Sequence, residues 1–248
     1  THVDGSVNPV RDKEIIDVEL QLKDLETIES RITKVDKIAK TGNDKRAAKT
    51  YELLVKYRDA LLQGLSVRTV DIDPLTKSEY LSDLLLLTDK PILYVCNVDE
   101  ASVKTGNKYT KALMEAVKNE KAEVLIIGAA IESDIAELES YDERQMFLTD
   151  LGLEEAGVVK LIKSAYRLLK LQTYFTTGAD ETRAWTFRDG MKAPQCAGII
   201  HTDFEKGFIR AEVIKYNDYV TLGSEAACRE AGKIAIEGKE YLPQDGDI

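Results

Sequence analysis

The sequence predicts an α/β protein in which a long helical hairpin precedes a parallel sheet and a small α+β module follows it. Apolar residues recur in steps of three or four from Ile15 to Ile38 and again from Ala47 to Leu61, the period of amphipathic helices. Two continuous apolar runs, Ile92-Leu93-Tyr94-Val95-Cys96 and Val124-Leu125-Ile126-Ile127, flank a helical stretch, which is the order of a βαβ unit. From Leu171 onward the texture changes to short strands and turns.

The first helix is expected over residues 13 to 41, with Ile15, Val18, Leu22, Leu25, Ile28, Ile32, Val35 and Ile38 as its apolar stripe. So narrow a stripe suits a coiled-coil seam better than a helix sunk in a globular core. Thr41-Gly42-Asn43-Asp44 breaks the pattern. A second stripe, Ala47, Tyr51, Leu54, Tyr57 and Leu61, then returns antiparallel to the first, an arrangement favoured over an ordinary bundle. Residues 31 to 58 hold nine basic and three acidic side chains, a basic tip on an acidic chain. Lys40, Lys45, Arg46 and Lys49 are candidate contacts to a phosphate backbone. A solvated lysine-rich surface explains the same residues.

After Pro74 a helix is expected from Leu75 to Thr88, then the first strand, buried on both faces as a parallel sheet requires. A helix over roughly residues 107 to 120 leads to the second strand. Gly128-Ala129-Ala130 makes a tight exit into a helix beginning near Glu132. In the last third, Thr173 to Thr176, Arg183 to Phe187, Phe208 to Ile214 and Glu240 to Leu242 read as strands, and Pro194 to Ile200 as a short helix.

Composition excludes several functions. The 248 residues carry 34 Lys+Arg against 44 Asp+Glu, a net charge of −10, which is no general nucleic-acid coat. No apolar run reaches the ~18 residues that cross a bilayer, so no membrane partner is expected. Cys96, Cys196 and Cys228 are too few and too scattered for a disulfide scaffold, which points to a reducing compartment. With only two histidines and no C-x-x-C pair, a zinc site or a histidine triad lacks material. Cys96 should be inert in its strand, whereas Cys196 and Cys228 could be accessible. His201 beside Asp203 reads as a hydrogen-bonded structural residue, and Trp185 and Tyr174 as core of the small module rather than stacking platforms for RNA. A metabolic enzyme on a parallel sheet has no acid–base pair behind it.

Ligands of parallel sheets bind at the carboxyl ends of the strands. Asn97-Val98-Asp99-Glu100 stands there, after the first strand. An Asn can tie such a loop to backbone and approach purine N7, and a following carboxylate can accept from guanine N1–H and N2–H₂. A plain Asn/Asp turn would look the same. Gly128-Ala129-Ala130, at the second exit, is small enough to lay backbone against the same base, and a helix start that needs small residues explains it equally.

These residues carry a specific resemblance. His2-Val3-Asp4-Gly5-Ser6-Val7-Asn8-Pro9-Val10-Arg11-Asp12 resembles the segment that enters the helical insertion of the YchF/Obg-like ATPase family, in the TRAFAC class of P-loop GTPases. Asn97-Val98-Asp99-Glu100 resembles its N-x-x-E base-recognition motif. Leu171-Gln172-Thr173-Tyr174-Phe175-Thr176, Arg183-Ala184-Trp185-Thr186, Ala193-Pro194-Gln195 and His201-Thr202-Asp203-Phe204-Glu205-Lys206-Gly207-Phe208-Ile209-Arg210-Ala211 are similar to its C-terminal domain. The resemblance covers essentially the whole chain. It implies part of a P-loop nucleotide-hydrolase domain at residues 1–13 and 78–167, a helical coiled-coil insertion at 14–77, and a TGS domain of β-grasp type at 168–248. It also implies a cytoplasmic, monomeric protein that binds ATP or GTP with Mg²⁺, hydrolyses slowly and associates with the ribosome or its RNA. Asn97, Val98, Glu100, Gly128, Ala129 and Ala130 would then hold the base. Adenine N1 is an acceptor and repels a carboxylate, and Glu in place of Asp weakens guanine selection, so ATP is expected over GTP.

The departure is the phosphate loop: no G-x-x-x-x-G-K-[S/T] occurs in the chain. Thr1 in place of Met, and an end at Ile248 in mid-pattern, suggest a piece of a longer protein that lacks the family's last strand. On that expectation the chain as given carries base contacts but no catalytic residue and no metal ligand. The rival is a non-catalytic RNA- or ribosome-binding or protein-interaction module that uses the basic hairpin tip and the TGS module.

Overall fold

A computed structural model describes residues 5–39, 44–120, 122–178 and 181–248. His2-Val3-Asp4, Lys40 and Thr41-Gly42-Asn43 lie outside the described residues. The chain forms two units, Thr1–Leu161 and Ile162–Ile248.

In the first unit α1 (Pro9–Ala39) and α2 (Lys45–Leu62) pair along their length. Asp44 caps α2, its carboxylate accepting from the Arg46 and Ala47 N–H groups. The α2 stripe packs as the spacing predicts, with Leu54 and Tyr57 fully buried against Ile28 of α1. The α1 stripe does so only from Leu25 to Val35. Towards its start Ile15, Val18 and Leu22 are exposed, Leu22 at 61 %. The buried positions there are polar. Gln21 donates from Nε2 to the Gly64 carbonyl at 3.0 Å. Asp24, 2 % exposed, accepts from the Leu87 N–H at 2.8 Å and from the N–H and hydroxyl of Thr88, both at 2.7 Å.

That carboxylate also explains why α3 is short. It spans Pro74–Leu81, with Asp73 as cap and Pro74 in its first turn, instead of running to Thr88. The Leu87 and Thr88 amides donate to Asp24 and cannot serve an i−4 carbonyl. The segment folds back across α1, placing Leu86 in the same core as Val67 and Leu81.

Next come β1 (Leu93–Asn97), α4 (Lys108–Val117) and β2 (Glu123–Ile127). The two strands are parallel, Leu93 opposite Glu123 and Asn97 opposite Ile127. Burial on both faces does not hold for β1: Val95 is 43 % exposed, and among the described residues β1 pairs on one edge only. Then follow α5 (Ala129–Glu137), α6 (Tyr141–Asp150) and α7 (Gly157–Leu169). Ile131, Ile135, Leu148 and Ala156 make a second, smaller core. At the root of α1, Lys13 lies 2.6 Å from Asp17 and 2.7 Å from Glu120, while the Tyr94 hydroxyl donates to Glu120 at 2.8 Å. Burial alone would lower the Lys13 pKa, but the hydrogen bonds to Asp17 and Glu120 outweigh it and the net shift is upward.

In the second unit β3 (Leu171–Thr177) and β4 (Thr182–Arg188) form a hairpin over α8 (Ala193–Ile200). The Tyr174 hydroxyl donates to the Cys196 carbonyl at 2.8 Å, and its ring meets Phe187 edge-on at 5.7 Å. Trp185 is half-buried, donating to Thr176 Oγ1 under the Arg183 guanidinium. His201 is exposed, and its Nδ1 accepts from the Asp203 N–H to start α9 (Thr202–Gly207). Next come β5 (Ala211–Ile214), α10 (Tyr216–Leu222), α11 (Glu225–Glu230) and β6 (Ile234–Glu237). Three expectations fail here. The strand expected from Phe208 begins at Ala211. Glu240 to Leu242 is no strand; the Tyr241 carbonyl instead accepts from the Ala193 N–H, and the partner of β5 is Ile234–Glu237. Cys196 and Cys228 are buried, at 3 % and 0 %, because α8 and α11 turn them inward. The Cys196 thiol is pushed up to about 11 by burial.

Two measurements check this packing. Replacing Asp24 with Ala leaves three donors without an acceptor. It should lower unfolding free energy by about 3 kcal/mol in urea titration, and Asp24→Asn by less. Burial also pushes Tyr57, Tyr94 and Tyr174 up to about 12 from the ordinary 10.0, Glu120 adding to the shift at Tyr94. A raised folded pKa gives stability that is full below 10 and lost as pH rises towards 12. Phenolate absorbance should therefore show a late step near pH 12, which moves to about 10 on unfolding.

Candidate nucleotide-base site

Parallel pairing brings the exits of β1 and β2 to the same end of the sheet. The Val98 N–H donates to the Ile127 carbonyl at 2.9 Å, carrying the ladder one residue past β1. Asn97 Oδ1 accepts from the Ala129 N–H at 2.9 Å. Two of the expected residues from different exits are thereby joined side chain to backbone. With its oxygen engaged, the Asn97 carboxamide presents its NH₂ as the group it can offer a ligand acceptor.

The acids of the motif divide their work. Asp99 Oδ1 accepts from the Ser102 N–H at 2.9 Å and caps a short 3₁₀ turn, Glu100–Ser102. Glu100 opens that turn with its side chain exposed to solvent. The loop then closes at Gly106, whose φ of +69° is left-handed and whose absent Cβ would meet Thr110 Oγ1 at 2.3 Å. Asn107 caps α4 directly behind it, accepting from the Tyr109 and Thr110 N–H groups. Both ends of the loop are pinned, so its geometry is set before any ligand arrives.

Gly128 is buried as the cap of α5, and a Cβ there would press on Ile131 at 3.1 Å and meet Val103 at 3.5 Å. Its smallness lets the loop after β1 lie close on α5. Ala129 and Ala130 follow, exposed, in the first turn. One anchor has no counterpart in the sequence reading. The Glu132 carboxylate accepts from the Gly157 N–H at 2.6 Å and the Val158 N–H at 3.0 Å, fixing the start of α7 to α5. Its only signal is a Gly-Val pair opening a helix 25 residues later, which periodicity does not report.

The candidate RNA contacts fare unevenly. Lys45 is exposed at the start of α2. Arg46 instead donates to the Glu79 carbonyl at 2.7 Å and lies 5.8 Å from the Tyr80 ring centre, and Lys49 pairs with Glu52 at 2.9 Å. Both contacts lie at the surface, made with a carbonyl of α3 and with an acid one turn along α2. Among the described residues no group of three or more His, Cys, Asp or Glu side chains stands as metal ligands, and no helix is long and apolar enough to cross a membrane.

Comparison with known proteins matches this arrangement. Residues 171–248 match the family described as YchF-GTPase_C, protein of unknown function (DUF933). The whole chain is 50 % identical over 250 residues to the ribosome-binding ATPase YchF of Bacillus subtilis (strain 168), covering 68 % of that protein. It is 43 % identical over 252 residues to Obg-like ATPase 1 of Homo sapiens, covering 63 % of it. All of it also superimposes on 67 % of the Schizosaccharomyces pombe YchF GTPase structure, with a TM-score of 0.87 and 34 % identity. It thus spans about two thirds of these relatives, and at this identity over its full length it belongs to the YchF/Obg-like ATPase family.

Proposed function

We propose that this chain supplies the base-recognising wall and a ribosome-facing surface of a nucleotide-dependent switch that acts on ATP in preference to GTP. The Asn97–Ala129 bond carries the reading, since it ties two strand exits into one edge at the carboxyl end of the sheet. Asn97 NH₂ would face N7, Val98 the ring, and the backbone near Asn97 and Val98 the adenine N6 amine. Glu100 opens its 3₁₀ turn with the side chain exposed, and a Glu in place of the Asp that would pair with guanine favours adenine at this edge.

Hydrolysis needs phosphate-gripping amides and a lysine, and no G-x-x-x-x-G-K-[S/T] lies in these 248 residues. The chain by itself is therefore expected to show no magnesium-dependent turnover. In calorimetric titrations of the longer protein, ATP should bind several-fold more tightly than GTP. Asn97→Ala should weaken ATP by about tenfold, the loss of roughly one hydrogen bond together with the loop tie. Equal or tighter GTP binding would remove the preference.

A ribosome-binding role, with or without hydrolysis, is supported by the helical hairpin. With Arg46 and Lys49 engaged, the cations at the tip best placed for phosphate are Lys34, Lys37 and Lys45. Reversing these three to Glu should abolish co-sedimentation with ribosomes at about 0.15 M salt, where the unaltered chain still pellets, because each lost cation flattens the salt dependence. Unchanged pelleting would take the hairpin out of the interface. The reading further holds that the protein is monomeric and cytoplasmic, with the Ile162–Ile248 unit as a second contact surface.

A further inference from the structure

β4 is the outer strand of its hairpin, and its register with β3 runs unbroken from Thr182 opposite Thr177 to Arg188 opposite Leu171. Two bonds fix which of its residues pair inward. The Gly178 N–H donates to the Glu181 carbonyl at 3.0 Å, and the Asp189 N–H to the Lys170 carbonyl at 2.8 Å. Alternating from either end, Arg183, Trp185 and Phe187 exchange hydrogen bonds with β3, so Thr182, Ala184 and Thr186 turn their N–H and C=O groups outward. Among the described residues β4 has no second strand beside it, and no hydrogen bond reaches those outward groups. All three residues are exposed, and neither proline nor a bulge blunts the edge.

The charge along this edge has one sign. Residues 182–188 hold two cations, Arg183 and Arg188, and no acid. Five residues apart, the two lie on opposite faces of the strand. Both are exposed, and among the described residues neither guanidinium is paired with a carboxylate. Arg183 lies 4.4 Å from the Trp185 ring centre, a contact that steadies it on the strand. Ala184 and Thr186, on the same face as Arg188, are small.

We propose that the free edge of β4 pairs with one extended acidic polypeptide strand of a partner protein, whose carboxylates, five residues apart, meet Arg183 on one face and Arg188 on the other. Donors and acceptors alternate outward along β4 and call for a ligand that offers both along one line. A polypeptide strand does so, whereas a phosphate backbone has acceptors alone. The two unpaired arginines select negative side chains at the positions directly opposite them. Between these, Ala184 and Thr186 leave room for β-branched residues on the added strand.

The probe is acetyl-Glu-Thr-Val-Thr-Val-Glu-Thr-amide, added to the 248-residue chain. Amide hydrogen exchange at Ala184 and Thr186 should slow about tenfold or more, saturably, while exchange at Trp185, already bonded to β3, should change little. A peptide with Lys at both Glu positions should protect neither amide. Arg183→Glu combined with Arg188→Glu should reverse the choice, the lysine peptide now protecting and the glutamate peptide not. Arg188→Glu alone, which leaves the Arg183–Trp185 contact in place, should already weaken protection by the glutamate peptide. The proposal is overturned if the glutamate peptide slows neither amide, or if the lysine peptide or a single-stranded oligouridylate protects the unaltered chain equally. It is overturned too if exchange at Ala184 slows with chain concentration alone, since the occupant is then a second copy.

Discussion

Parallel pairing of β1 with β2 is the constraint from which the site follows. Two parallel strands need a crossover, here α4, and the crossover returns the chain so that both carboxyl ends emerge together. Only then can Asn97 reach the Ala129 amide from thirty-two residues away in sequence. An antiparallel pair would place these exits at opposite ends of the sheet. The glycines complete the arrangement: Gly106 turns the loop sharply into α4, and Gly128 lets α5 and Val103 lie close.

How much of this could be read from residues alone depended on whether apolar period and burial coincide. They do in α2, where Ala47, Leu54, Tyr57 and Leu61 are all buried. They part company in the first half of α1. There the inward face is set by Gln21 and Asp24, whose partners are backbone groups of distant loops. Polar residues that bury themselves by bonding remote backbone groups look like surface in a periodicity count. The same carboxylate cut α3 short, since a helix-favouring run from Leu75 to Thr88 cannot remain helical once Asp24 takes two of its amides. β6 was hidden for another reason: Ile234–Glu237 is four residues long, with Ile236 exposed, and has no alternation strong enough to stand out.

Of the candidate site, the meeting of the two strand exits was legible, because parallel strands end on the same side of a sheet and the exits carry Asn97 and Gly128. What charge counting could not supply was engagement. Nine cations between residues 31 and 58 read as one basic tip, yet Arg46 is spent on a carbonyl and an aromatic ring and Lys49 on a neighbouring acid. A surface cation's availability depends on helix geometry at i±3 and on tertiary neighbours, neither of which composition encodes.

The ion cluster at the foot of α1 has a mechanical meaning. From Lys13 to Ala39 the helix rises about 39 Å at 1.5 Å per residue. Lys13, Asp17, Glu120 and Tyr94 grip its near end against β1 and the end of α4, so the hairpin is a lever whose foot is clamped there. A ten-degree rotation at that fulcrum carries the far end through about 7 Å, the width of a nucleotide's backbone step, while atoms at the clamp move by a fraction of it.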